Sequence, residues 1–356
     1  MNQCTHTYNN ATLSSEYLEY FYELIKTSDR IAKQTKKKIS LHGRLPPLNT
    51  RNVPTTILTY INTTNHKTYK VTGVINSKTI ELYFICYETS NLNITSYSNF
   101  VFLILYLLTI HEQNECSKFL SIKIYLTPFL KTSPSPINTT TILNKYEVNT
   151  GYSNIGCNRQ SSIVIYRKEE WAKVLIHELF HNLNLDFAIL DIPHINRMLQ
   201  KKFKLTINFD VNECYAEIWG RLLLTFFESF NRSSTKNQFV MNFNKLIVRE
   251  IHFSLLQATK IWHIIEQSDN YNEKTNTFVY YILTSGLIHN YAKFVMWCRK
   301  NNETLFHFNK TNKRVYEFTE FTLSSLNNTN YKTLLRCLYN TTPGKSMRMT
   351  YSDLTL

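Results

Sequence analysis

Glycine and proline are scarce in this chain, 7 and 8 of 356 residues, while Asn, Thr, Tyr, Ile and Lys abound. That imbalance reads as an AT-rich coding bias more than as a structural demand. The seven cysteines (Cys4, Cys86, Cys116, Cys157, Cys214, Cys298 and Cys337) are odd in number and include no C-x-x-C pair. Neither a disulfide framework nor a zinc ribbon is therefore expected. No positively charged segment followed by an apolar core opens the chain, so no signal peptide is expected. The most apolar run, "FVFLILYLL" from Phe100 to Leu108, falls well short of the ~20 residues that span a bilayer. It reads as a buried helix or strand. These absences together favour a reducing, intracellular setting. No internal repeat is visible.

What is present suffices for a real core: 43% hydrophobic and 14% aromatic residues argue against wholesale disorder. The length suits one large domain or two lobes sharing a cleft. Forty Lys and Arg against 26 Asp and Glu give a net charge of +14, which can attract phosphate backbones. Lysine enrichment follows from the same coding bias, so a nucleic-acid partner is not favoured. The densest basic stretch, "KQTKKKISLHGR" (Lys33 to Arg44), is short, lacks interleaved aromatics and precedes Pro46-Pro47; it reads as an exposed loop.

Residues 14–27 have apolar positions at helical spacing. From about 53 to 90, "TTILTYIN", "KTYKVTGVIN" and "TIELYFICYE" are β-branched and aromatic runs that suggest antiparallel strands. "SIKIYLT", "EVNTGYSN" and "SSIVIYR" add further strands, with "KTSPSPINTTT" as a polar loop. "KEEWAKVLIHELFHNL" reads as a helix, acidic in its first turn as the macrodipole prefers. Beyond residue 188 long helical patterns take over. The expected architecture is α+β: an antiparallel-rich lobe over 1–187 ending in the "HELFH" helix, then an all-helical lobe over 188–356.

In "HELFH", His177 and His181 stand four apart, so a helix places both imidazoles on one face. That spacing lets both bind one Zn²⁺ at ~2.0–2.1 Å. Glu178 sits at the rim of the same face, where a carboxylate can take a proton from a metal-activated water. Peptide hydrolysis needs that pairing, because the amide is a poor electrophile with a poor leaving group. The competing reading is a buried helix whose histidines are satisfied by carbonyls.

A third ligand is required. Residues at the spacing of an extended motif are Asn184 and Phe187, which fit neither Gly nor His, and Asp186 is one position off. The better candidate is "NECYAE", where Glu213 and Glu217 lie one turn apart. Glu213 is assigned as ligand and Glu217 as the carboxylate that orients a ligand histidine. "DVNE" (Asp210 to Glu213) also fits a capping box, and on that reading Glu217 becomes the ligand.

"HELFH" followed by "NECYAE" resembles the gluzincins, zincin metallopeptidases whose third ligand is a glutamate on a second helix. "VLIHELFHNLNLDF" with "NECYAEIWG" is similar to the metallopeptidases encoded by large DNA viruses, over roughly residues 148–220. The resemblance implies one zinc per chain held by His177, His181 and Glu213, Glu178 as general base, a peptide or protein substrate, and a host-cytoplasm or virion location. Asn184 stands where a glycine commonly ends such a helix. Zincins align substrate along an edge strand, for which "VNTGYS" and "SIVIYR" are candidates. Tyr280, Tyr281 and His289 are candidates for the donor that stabilises the oxyanion. Two other functions stay open: an inactive zincin-fold binding or virion protein, and a basic nucleic-acid-associated protein.

Overall fold

The computed structural model describes residues 12–87, 92–112, 115–134, 141–268, 270–339 and 344–354. In chain order they form α1 (Ser15–Gln34), β1 (Lys37–His42), α2 (Thr55–Thr63), β2 (Lys67–Ile75), β3 (Lys78–Cys86), α3 (Ile94–Thr109), β4 (Phe119–Leu126), β5 (Ile142–Leu143), β6 (Gly151–Ser153) and β7 (Gln160–Ile165). Then follow α4 (Trp171–Asn182), α5 (Pro193–Phe203), α6 (Val211–Asn231), α7 (Lys236–Gln267), β8 (Asn272–Glu273), a π-helical turn (Val279–Leu283), α8 (Thr284–His289), α9 (Tyr291–Asn301), α10 (Asn312–Leu326) and α11 (Thr329–Tyr339).

The chain mixes helix and sheet as expected, but the sheet is mixed in direction. Its order is β1-β2-β3-β4-β7-β6. β3–β4 and β4–β7 are parallel, and the other three pairs are antiparallel. The parallel β3–β4 pair follows from α3, the apolar run around Phe100–Leu108, which forms a crossover helix between the two strands. Two expectations about local structure fail. "TTILTYIN" is helix α2, because Ile57 and Ile61 are buried one turn apart and that spacing outweighs β-branched composition. The basic stretch at Lys33–Arg44 contains edge strand β1, whose Lys37 lies over the Phe102 ring at 5.1 Å and donates to the Ala32 carbonyl.

One contiguous apolar core runs from Leu13 to Leu354. Phe21 of α1 stacks on Phe226 of α6 at 4.1 Å, so the core crosses the change in secondary structure near residue 188. The β5–β8 pair links the two halves again. A smaller cluster under α2, with Tyr125 and Tyr166, fills the sheet's other face. Among the described residues no helix is long and apolar enough to cross a membrane.

A disulfide joins Cys116 to Cys157, contrary to the expectation drawn from cysteine spacing. The cause is parallel pairing: Phe119 of β4 lies opposite Gln160 of β7, and each cysteine sits three residues earlier. A separation of 41 residues along the chain hides that adjacency. Cys4 lies outside the described residues.

Candidate metal centre

Helices α4 and α6 present facing polar stripes at one-turn spacing. Lys173, His177 and His181 line α4; Glu213, Glu217 and Arg221 line α6. All six are buried. Gly220 lets the helices approach, since a Cβ there would lie 3.3 Å from the Lys173 carbonyl and 3.7 Å from His177 Cβ. The approach to α4 is itself unusual. Glu170, just before the helix, has φ 58°, a left-handed conformation that costs a side-chain-bearing residue about 1–2 kcal/mol. Its carboxylate is not spent on the helix dipole, as the acidic first turn had implied. It pairs with buried Lys131 and accepts from the backbone N–H groups of Met349 and Thr350. At the other end of α4, Asn184 takes φ 55°, the left-handed turn that glycine would otherwise supply.

Three donor atoms converge between the stripes. His177 Nε2 and His181 Nε2 are 3.0 Å apart, and Glu213 Oε2 lies 3.1 Å from the first and 3.5 Å from the second. Ligand atoms held ~2.0–2.1 Å from a tetrahedral cation are about 3.3–3.4 Å from one another. The triangle in this protein has edges close to that length. His177, His181 and Glu213 can therefore hold a metal ion. The capping-box alternative for Glu213 does not form: its carboxylate turns to the imidazoles and accepts the Tyr280 O–H at 2.8 Å.

Each imidazole is backed by a carboxylate on its other nitrogen. His181 Nδ1 donates to Asp186 Oδ2 at 2.5 Å. His177 Nδ1 stands 3.2 Å from Glu217 Oε2, at ion-pair range though not aligned as a hydrogen bond. A proton held at Nδ1 leaves the Nε2 lone pair free for a cation. Glu217 is held in turn by Lys173, which reaches both its oxygens at 3.0 and 2.9 Å, and by Arg221 at 2.9 Å.

The charge states follow from these contacts. Burial disfavours a charged ring at His181, yet the carboxylates of Glu213 and Asp186 outweigh it and raise its pKa well above the usual value. Burial similarly works against Glu213, but the rings of His181 and His177 hold its carboxyl far below the ordinary range. Glu217 is depressed against its own burial by Lys173 and Arg221. Burial and neighbouring Glu213 push Asp210 up to about 7.

The cluster opens onto a cleft of about 860 Å³ whose lining includes Glu178, Tyr280 and strand β6. Of the two strand candidates for substrate alignment, β7 pairs on both sides and lies inside the sheet, whereas β6 is the edge. The candidate donors separate as well. Tyr280 faces the cleft, but the next residue round the π-turn, Tyr281, points elsewhere and donates to the Met347 carbonyl at 2.6 Å. His289 is buried on α8 against the Tyr331 ring and does not line the cleft. Sequence reasoning passed over two buried residues of this cluster, Lys173 and Arg221. Asp186 was weighed only as a ligand. Lys173 and Arg221 lie four positions from His177 and Glu217, and that i,i+4 spacing was the signal that could have found them.

Comparisons of the chain with protein-family models, with curated proteins and with solved structures return no match.

Proposed function

We propose that this chain is a zinc-dependent peptidase in which His177, His181 and Glu213 hold the cation and Glu178 is the general base. One observation carries the reading. Two imidazoles, their Nε2 atoms 3.0 Å apart, turn those atoms toward a shared carboxylate oxygen at 3.1 and 3.5 Å while carboxylates stand behind both Nδ1 atoms. Carbonyl-satisfied core histidines have no reason to adopt that arrangement. Two nitrogens and one oxygen form a His₂Glu donor set, which suits zinc and leaves a fourth position open. When bound, Zn²⁺ supplies Lewis acidity to an attacking water and to the scissile carbonyl.

The remaining work falls to the chain. Glu178 takes the proton from the attacking water and passes it to the leaving amine nitrogen. The β6 edge offers main-chain groups to an extended peptide. Tyr280 lines the same space, and its hydroxyl, which donates to Glu213 Oε2 here, reaches the oxyanion by exchanging that acceptor for it. Tyr280→Phe is expected to lower kcat by roughly 10²–10³-fold with KM little changed. A loss confined to KM would remove Tyr280 from that role.

The direct test is elemental analysis of purified protein after zinc reconstitution. About one zinc per chain is expected, and His177→Ala or His181→Ala should each abolish stoichiometric binding. A wild-type chain that retains no zinc under those conditions sinks the proposal.

A further inference from the structure

The cleft beside the metal centre carries an uneven distribution of charge. Its lining includes three carboxylates and three cations. Glu213 and Glu178 are committed to the centre on the reading above. Glu273 is turned inward, accepting the Tyr271 O–H at 2.6 Å and the Phe278 N–H at 2.9 Å. Burial pushes its pKa up to about 7, so near neutrality it carries only part of a charge. The cations are Arg51, Lys145 and Lys274, and none has an ion-pair partner among the described residues.

These cations sit on tied segments. The Asn49 side chain accepts the Arg51 N–H, and the Asn49 backbone N–H donates to the hydroxyl of Tyr152 on β6 at 3.0 Å. Lys145 Nζ donates to the Arg51 and Val53 carbonyls at 2.6 and 3.1 Å. The Lys274 N–H donates to the Leu143 carbonyl at 2.8 Å, extending the β5–β8 pair. Three separate stretches of chain thus hold positive charge around one concavity that ends at the histidines.

Resting on the peptidase reading, we propose that the cleft selects polypeptides with aspartate or glutamate side chains flanking the scissile bond, recognised by Arg51, Lys145 and Lys274. Cations without ion-pair partners on a cleft wall attract ligand carboxylates, while Glu213 and Glu178 belong to the centre and Glu273 is turned inward. A nucleic acid fits less well. The three cations line a pocket that also holds the histidines and Glu213, and the adjoining β6 edge presents peptide-like hydrogen-bonding groups.

The test uses two fluorescein-labelled dodecapeptide pools with identical randomised flanks, one carrying Glu and the other Lys at alternating central positions. Binding is read by anisotropy on the zinc-reconstituted Glu178→Gln chain, and cleavage on the wild type. The acidic pool should bind at least ~10-fold tighter at low salt, with the preference shrinking as ionic strength rises. An Arg51→Ser, Lys274→Ser double variant, altered only at exposed side chains, should bind the two pools about equally. Equal binding of the pools by the parent overturns the proposal. So does tighter binding of a single-stranded oligonucleotide than of the acidic pool. Cleavage without acidic preference removes this inference and leaves the peptidase; acidic preference without any cleavage does the reverse.

Discussion

Glu178→Gln is expected to keep the fold and the metal and to lower peptide hydrolysis by roughly 10²–10⁴-fold. Glutamine preserves shape and can still donate or accept a hydrogen bond, but it cannot take up a proton at neutral pH. The position isolates that chemistry. Glu178 follows His177 directly on α4 and lines the cleft, yet no hydrogen bond or ion pair to its carboxylate is found among the described residues. Its near-isosteric replacement removes no hydrogen bond or ion pair among the described residues, so at this buried position the change in stability should stay within about 1 kcal/mol. Zinc content, thermal midpoint and cleavage of a peptide library, measured on one preparation, separate the effects. Full activity in the variant would strip Glu178 of its role. Lost zinc would show that the residue serves binding instead.

Glu217→Ala should produce the largest loss of stability at the site, about 3–5 kcal/mol, because it leaves the buried cations of Lys173 and Arg221 without their shared partner. It should also weaken zinc binding by roughly 10–100-fold through the orientation of His177. The pH dependence has a definite sign. The folded pKa of Glu217 lies well below its ordinary 4.5. Its contribution is therefore complete above about pH 4.5 and disappears as pH falls through the lower folded value. Denaturation curves of metal-free wild type and variant should differ most near neutrality and converge in acid. A difference under about 1 kcal/mol at pH 7 would mean that the ion pairs do not hold the helices together. Unchanged zinc affinity, measured against a competing chelator, would sever Glu217 from His177.

Parts of this arrangement were legible before any coordinates. The i,i+4 histidines and the one-turn pair of glutamates follow from helical period alone. Predicting α1, β2, β3, β4, α6 and α7 needed only local pattern. Residues 55–63 misled because Thr and Ile favour strands intrinsically, while the burial of Ile57 and Ile61 that decides the matter is tertiary. Lys33–Arg44 misled for the opposite reason: charge suggests solvent, but the long side chain of Lys37 covers an apolar ring while its backbone joins the sheet. Tyr280 and Tyr281 are equivalent in sequence, and only the packing of the π-turn decides which one meets Glu213.

The sequence by itself determined which side chains share a helical face, since periodicity is a local property of the backbone. It carried the polar stripes of α4 and α6, the mixed helix and strand content, and the excess of positive charge. Only the tertiary structure decided that those stripes face each other, that Asp186 reaches His181, that Cys116 meets Cys157, and which cations border the cleft. Such encounters join residues tens of positions apart, and their partners are chosen by the packing of whole elements around a common core.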